Sequence, residues 1–330
     1  MQPSSSACWV ISDGRRGIEN QALGLADAMA QQTPLKLAVF KLENGTAFKA
    51  MSPTLQLKMR GHPEDYHLPY IDEDNRPEIA VGCGRQAIAP LLALKAHHPE
   101  IFTIYIQNPR IDPNKFDLVI APEHDGLSGP NVETMIGSPN RVTRERIITE
   151  TLRFAEDLAR LPMPRAAMLI GGPSKTHKMS KADHAAHIKA AKSVLSAGHS
   201  LMITPSRRTP QWAIADYKRL ASRHDHVWLY DGEGGNPYYA LLGGAEAILI
   251  TQESTNMLTE ACATGKPVFS LPMSGNSGKF DVLYEALKSR CHLTSFTATL
   301  SAPSYPPLNE TERAASRALA HLQARFAVIN

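Results

Sequence analysis

The segment Thr251-Gln-Glu-Ser-Thr-Asn-Met-Leu-Thr-Glu-Ala-Cys-Ala-Thr-Gly-Lys-Pro-Val-Phe-Ser-Leu-Pro272 decides how the rest of the chain is read. An apolar run, Ala247-Ile-Leu-Ile250, stands directly before it. Together they read as strand, polar turn, short helix, glycine stop, second strand and proline. A helix that opens on Ser254 and Thr255 offers free backbone N–H groups and a positive dipole end, which suits an anionic phosphate. Asn256 belongs to the same polar start. Glu260 falls about two turns inside the helix, where a carboxylate can grip a ribose diol. The expectation is a site for an activated nucleotide.

Working outward, strand-like and helix-like segments alternate along all 330 residues, which argues for α/β architecture with mostly parallel sheets. In the first half, strands are expected at 8–11, 35–40, 78–81, 102–106 and 117–120, with helices at 18–31, 85–97 and 142–160. Residues 43–75 read as irregular. Two prolines in Leu161-Pro-Met-Pro-Arg165 end the long helix and mark a linker. The rhythm then restarts, with strands at 166–170, 200–204 and 227–230 and helices at 181–197, 210–222 and 237–242, ahead of the opening segment. A last helix runs from about 310 to 326. The domains are therefore expected at 1–160 and 165–305, with a terminal helix at 309–328.

Composition excludes several function classes. The formal net charge is only +3, from 35 Lys+Arg against 32 Asp+Glu, so nothing argues for a nucleic-acid partner. No apolar run approaches the roughly 18–20 residues of a membrane span. The stretch Met1 to Ala7 lacks the basic and apolar regions of a signal peptide. Cys8, Cys83, Cys262 and Cys291 are widely separated and form no CxxC pair, which fits a reducing cytoplasm and argues against a zinc or disulfide framework. His97-His98 and His224-x-His226 lack further ligands at useful spacing, so no metal is expected. The basic stretch Lys49 to Arg60 either touches a membrane surface or lipid acceptor, or, because Leu55, Leu57 and Met59 alternate, is a half-buried strand.

Ligands of doubly wound sheets bind at the carboxyl ends of the strands, so the loops there are the candidates. In the first half these are Asp13, Gly14, Arg15, Arg16 and Gly17, with Glu19 and Gln21 just beyond; then Gly84, Arg85 and Gln86; Gln107, Asn108 and Arg110; and His124 with Asp125. Asp13, Glu19, His124 and Asp125 are the candidate general bases, since His titrates near neutrality and a carboxylate can be tuned there. In the second half, Gly171, Gly172 and Ser174 form a phosphate-facing turn that is not a P-loop. Thr204, Ser206, Arg207 and Arg208 follow the next strand, and either arginine suits a diphosphate. Asn236 follows a glycine-rich loop, where a neighbouring Tyr can stack on a base. Each loop also has a plain alternative, as a packed turn or a solvated surface.

Two such halves, a proline linker and a Ser/Thr-x-x-x-x-Glu-Ala-x-x-x-Gly-x-Pro segment resemble the GT-B glycosyltransferases, and within them the lipid-II type. The whole chain also looks like a bacterial member of the mitochondrial-fission ELM-type family. The residues behind this are Ser12-Asp-Gly-Arg-Arg-Gly-x-Glu-Asn-Gln21, Gly82-Cys-Gly-Arg-Gln86, Ile106-Gln-Asn-Pro-Arg110, Gly171-Gly-Pro-Ser174, Thr204-Pro-Ser-Arg-Arg208 and Thr251 to Pro267. The resemblance implies two Rossmann-like domains facing a cleft, with the terminal helix crossing back to the first. It implies a nucleoside-diphosphate sugar as substrate, UDP favoured, held by the second domain beside Gly171, Gly172, Ser174 and Glu260. It implies no prosthetic group, no metal, a lipid-linked or glycan acceptor on the first domain, and a cytoplasmic or peripheral inner-membrane location. Two rival readings stay open: a nucleotide-sugar 2-epimerase, and a protein-binding scaffold, since plant members of the family are described as recruiting a dynamin-like protein. One departure stands out. Retaining GT-B enzymes often carry a second glutamate where this chain has Gln252, and Glu253 is displaced by one position.

Overall fold

The computed structural model describes residues 6–329; Met1 to Ser5, read above for a signal peptide, lie outside it. The chain divides into two compact units, one of residues 1–141 with 309–330 and one of residues 142–308.

The first unit contains β1 (Ser6–Ser12), α1 (Arg16–Gln32), β2 (Leu35–Lys41), α2 (Thr46–Ala50), α3 (Pro53–Met59), β3 (Ile79–Cys83), α4 (Ile88–His97), β4 (Phe102–Ile106), β5 (Leu118–Pro122) and β6 (Val132–Met135). Its strands form one parallel sheet in the order β2-β1-β3-β4-β5-β6. Side chains alternate across it. Cys8 and Val10 face a core shared with Ala22, Leu25 and Met29 of α1, while Trp9 and Ile11 face another shared with Ile88, Leu91 and Leu94 of α4. Both faces are covered, which is why the strands read as continuous apolar runs.

The second unit contains α5 (Arg144–Arg153), α6 (Ala155–Ala159), β7 (Arg165–Ile170), β8 (His177–Lys178), α7 (Lys181–Ser196), β9 (Ser200–Pro205), α8 (Gln211–Ala221), β10 (Val227–Leu229), α9 (Tyr238–Gly244), β11 (Ala247–Thr251), α10 (Thr255–Cys262), β12 (Val268–Leu271), β13 (Ser274–Gly275), α11 (Asp281–Cys291) and β14 (Thr294–Ser295). Its main sheet is parallel, in the order β10-β9-β7-β11-β12-β14, with β8 and β13 as a separate antiparallel pair. Counted within the unit, that is the 3-2-1-4-5-6 order of the doubly wound nucleotide-binding sheet. The α/β class and the two Rossmann-like sheets expected from sequence are both present.

Three local expectations are corrected. Residues 55–59 are not a strand but most of α3. Ser52 caps that helix, its side chain accepting from the Leu55 N–H, and Pro53 stands in the first turn. Helical rotation separates the alternating residues: Leu57 packs on the core while Leu55 and Met59 are exposed. The segment 43–75, read as irregular, thus holds two short helices. The single helix expected over 142–160 is broken at Phe154, which leaves the helical region (φ −107°, ψ 24°) with its ring against Trp228. The division between units falls at 141/142, upstream of the prolines at 161–165, and places α5 and α6 in the second unit.

The last helix, α12 (Glu310–Ile329), belongs to the first unit. Ala314, Ala315, Ala318 and Leu322 join the core beside α1. Arg317 and His321 both hold the Glu133 carboxylate on β6, at 2.7 and 2.9 Å. Arg325 reaches Asp117 at 2.8 Å, and Lys95 meets the same carboxylate at 2.6 Å. Ala318 is fully buried. Ala318→Leu is therefore expected to overpack this seam and cost the first unit about 1–3 kcal/mol, read as a lowered midpoint in urea unfolding. A chain ending at Leu308 should lose the folding transition of the first unit. An unchanged transition in that truncated chain would contradict the role given to α12.

Candidate functional site

In the second sheet the strand order reverses between β7 and β11, and a doubly wound sheet offers its ligand crevice beyond the carboxyl ends at such a point. The turns that leave these two strands are Gly171-Gly-Pro-Ser174 and Gln252-Glu-Ser254.

The glycine turn is already filled from within. The Gly171 N–H donates to Thr251 Oγ1 at 2.8 Å, and the Gly172 N–H to Glu253 Oε1 at 2.9 Å. Arg208 donates to Glu253 Oε1 at 3.2 Å and to the carbonyls of Gly172 and Pro173. A Cβ on Gly171 would stand 1.7 Å from Glu253 Oε1, and one on Gly172 would stand 2.1 Å from the Arg208 carbonyl oxygen. The two glycines are thus required by a buried carboxylate and a crossing backbone. The turn expected to face phosphate instead spends both N–H groups on side chains of the β11 end. Burial pushes the Glu253 carboxyl up, against the Gly172 N–H and Arg208 that hold it down. Ser174 Oγ accepts the N–H groups of Thr176 and His177. Thr204 is buried, and Ser206 is tied to Thr209, whose hydroxyl donates to the Gly171 carbonyl. Arg207 is exposed.

The start of α10 is arranged differently. Ser254 stands at the N-cap, yet its side chain caps no backbone N–H. The first-turn N–H groups lack the serine cap that usually satisfies them. Inside this helix Glu260 is buried, and its Oε2 accepts the Tyr238 hydroxyl at 2.6 Å. Burial pushes the Glu260 carboxyl up to about 7, and the Tyr238 hydrogen bond pulls the other way. Tyr238 opens α9, where Asn236 Oδ1 accepts the Tyr238 N–H at 3.1 Å. Asn236 is therefore a turn-forming residue at the head of that helix. The far end of α9 is held by Lys266, whose Nζ donates to the carbonyls of Leu242, Gly243 and Ala245, each at 2.6 Å.

In the first sheet the order reverses between β1 and β3. Asp13 binds the Arg15 guanidinium at 2.7 Å, with Gly14 (φ +75°) making the turn and Arg16 and Gly17 exposed at the start of α1. Gln21 Oε1 accepts from Gln107 at 3.0 Å and from the Cys83 thiol at 3.4 Å, which joins α1 to the ends of β3 and β4. Gly84 (φ +81°) packs under Ile18. Arg85 and Gln86 are turned to the backbone: Arg85 donates to the carbonyls of Lys49, Ala50 and Met51, and Gln86 to that of Lys49. Asn108 accepts the Arg110 N–H at 2.8 Å, leaving Arg110 exposed. Glu19 lies 3.7 Å from Lys41, and its buried Oε2 has no partner. His124 and Asp125 sit in a single 3-10 turn after β5. Among the described residues, no group of three or more His, Cys, Asp or Glu is gathered to hold a metal.

Sequence reasoning missed Thr251 and Glu253 as partners of the glycine turn, and Tyr238 as the partner of Glu260. The signal for the first was the glycine pair itself, which marks a close approach without saying of what. For the second there was none, since the contact joins separate helices. The buried Glu260 has a thermodynamic consequence. Its folded carboxyl titrates near 7 and its unfolded one near 4.5. Between those values the folded chain holds more proton, so stability falls as pH rises through that window. Above it, the ionised, buried carboxylate costs on the order of 3 kcal/mol. Glu260→Gln should therefore stabilise the second unit at pH 8, with the difference vanishing toward pH 4.5. Thermal melts across that range check the sign.

Comparison with known proteins gives the fold a setting. The chain is 29% identical over 281 residues to the Arabidopsis thaliana Mitochondrial fission protein ELM1; the match covers 77% of this chain and only 66% of the plant protein. It is 26% identical to the Uncharacterized protein RP120 of Rickettsia prowazekii (strain Madrid E), covering 93% of this chain and 96% of that one. Among solved structures it resembles the UDP-GlcNAc 2-epimerase of Methanocaldococcus jannaschii, with a TM-score of 0.59, 11% identity, and 96% and 99% of the two chains covered. That epimerase has also been solved in complex with UDP-GlcNAc and UDP, where the TM-score is 0.50 at 10% identity over the same shares. MurG of Acinetobacter baumannii gives a TM-score of 0.53 at 11% identity, again over 96% and 99%. At such identities the likeness shows a GT-B-like fold shared with nucleotide-sugar epimerases and glycosyltransferases. The family described as Mitochondrial fission ELM1 matches residues 16–322, and the chain belongs to it.

Proposed function

We propose that this protein is a nucleotide-sugar-dependent glycosyltransferase whose second unit holds the donor. The observation that carries the reading is the start of α10. An N-terminus without a serine cap stands at the switch point of a doubly wound sheet, with Glu260 buried in the same helix. A diphosphate on the first-turn N–H groups is favoured by the helix dipole. The ribose hydroxyls donate to Glu260 Oε1, because Oε2 already takes Tyr238. The exposed Arg207 adds positive charge. Arg208, held by Glu253, keeps the adjoining turn in place.

Sugar transfer places new negative charge on the departing diphosphate. Fixed dipoles and a guanidinium aimed at that charge are the main catalytic means of such a site, with no metal required. Acceptor-side chemistry then falls to the strand ends of the first unit. There the candidate bases are Asp13, paired with Arg15, Glu19, paired with Lys41, and His124 and Asp125 in the turn after β5. A lipid-linked or glycan acceptor fits the exposed Leu55 and Met59 of α3 beside Lys58. Among the described residues, no helix is long and apolar enough to cross a membrane. UDP is the favoured nucleotide, as in the epimerase complex of similar fold.

Calorimetric titration with UDP, GDP, ADP, CMP and their common sugar conjugates tests this directly. Saturable binding of UDP is expected, weakened about tenfold to a hundredfold by Glu260→Ala, the loss of hydrogen bonds to a charged acceptor. Incubation of the bound donor without acceptor should leave the sugar unchanged. An epimerised sugar would instead make the protein a 2-epimerase. No binding across the panel would overturn the donor site and favour a protein-binding scaffold.

A further inference from the structure

We propose that Tyr238 is a positioning residue for Glu260: its hydroxyl occupies Oε2, fixes the carboxyl plane and leaves Oε1 as the acceptor offered to a vicinal diol. The inference rests on the nucleotide reading above and deepens it.

Three observations carry it. The Tyr238 Oη to Glu260 Oε2 distance is 2.6 Å, short for a neutral pair and ordinary for a hydroxyl on a carboxylate. Tyr238 keeps its proton, since burial and the neighbouring Glu260 push its hydroxyl well above the ordinary range. Toward an ionised carboxylate, which only accepts, its hydroxyl donates, and a donor stabilises the ionised form of Glu260. The hydroxyl is also held from several directions. Asn236 fixes the first turn of α9 through the Tyr238 N–H, and Lys266 fixes the last through three carbonyls. Tyr239 packs edge-on against the Tyr238 ring at 5.6 Å.

Glu260 has few other electrostatic neighbours. The remaining titratable or charged groups on α10 and the elements around it are Cys262 on α10, Tyr239 on α9, Glu253 before α10, and Asp281, Tyr284, Glu285, Lys288, Arg290 and Cys291 on α11. Burial and Tyr238 are the two influences on its carboxyl. Burial alone would drive Glu260 to hold a proton at neutral pH, and a protonated carboxyl accepts poorly from two hydroxyls. Tyr238 offsets that. Nucleotide affinity should then rise with pH as Glu260 ionises around 7.

The test uses the full chain and Tyr238→Phe, which keeps the ring and removes the hydroxyl. Carboxyl-carbon NMR, with Glu260→Gln to assign the resonance, reads the titration of Glu260 without any ligand. Its midpoint should move to higher pH in Tyr238→Phe. Calorimetry with UDP should show affinity about tenfold weaker than the unaltered chain at pH 7 and nearly restored at pH 9. An unmoved NMR midpoint overturns the proposal. So does a loss of affinity that is the same at every pH, which marks a merely structural tyrosine. If the unaltered chain binds no UDP at any pH while the midpoint still moves, the nucleotide reading fails and the coupling of Tyr238 to Glu260 stands.

Discussion

The second unit depends on one contact, the Glu253 carboxylate lying against the Gly171–Gly172 turn. It ties the end of β7 to the end of β11 at the place where the strand order reverses. Thr251 makes the parallel bond to Gly171, and Arg208 brings in the end of β9. Three strand ends are thus locked around one buried carboxyl. Their glycines are there because nothing larger fits between carboxylate and backbone. The glycine turn has spent its N–H groups, whereas the start of α10 has no serine cap on its own. On the proposed reading, the anion-binding position of this sheet is therefore the β11 turn rather than the β7 turn.

The same region carries a second buried carboxylate at the expense of stability. Glu260 is ionised only against the pull of burial, and its cost is lowered by a single tyrosine on a separate helix. A fold selected for stability alone would place an apolar residue there. Buried carboxyls with raised titration points collect where a protein handles a ligand, and Glu260 sits in the helix whose N-terminus faces the switch point. The histidines His177, His184 and His187 act in the opposite sense. Burial lowers all three, so they cost stability as pH falls below the ordinary histidine range. The second unit is thereby squeezed from both sides, by Glu260 above neutrality and by its histidines below.

Much of the fold was legible in the sequence because β-α-β units are written contiguously. The run from Ala247 to Pro272 contains β11, α10 and β12 in order, with Gly265 stopping the helix. Where local signals conflicted, the reading failed. Leu55, Leu57 and Met59 alternate like a strand, but the Ser52-Pro53 start makes a helix. Phe154 looks like an ordinary helix residue until Trp228 is seen beside it. β6 and β14 are short edge strands, and two to four residues carry little periodicity. The candidate site was legible only by type. Glycines, arginines and a glutamate at strand ends were found, yet what each one touches is a long-range fact. Arg85 reads as a ligand group and spends itself on the carbonyls of 49–51. Gly171 and Gly172 read as a phosphate cradle and instead house Glu253.

The central claim is that the β11 turn and the start of α10 form the anion-binding position. Mapping backbone amide chemical shifts on addition of UDP reads this position directly. The predicted result is that the amides of Thr255, Asn256 and Met257 move most, with the Glu260 side chain following. Shifts confined to the first unit, or no shifts at saturating nucleotide, would contradict it.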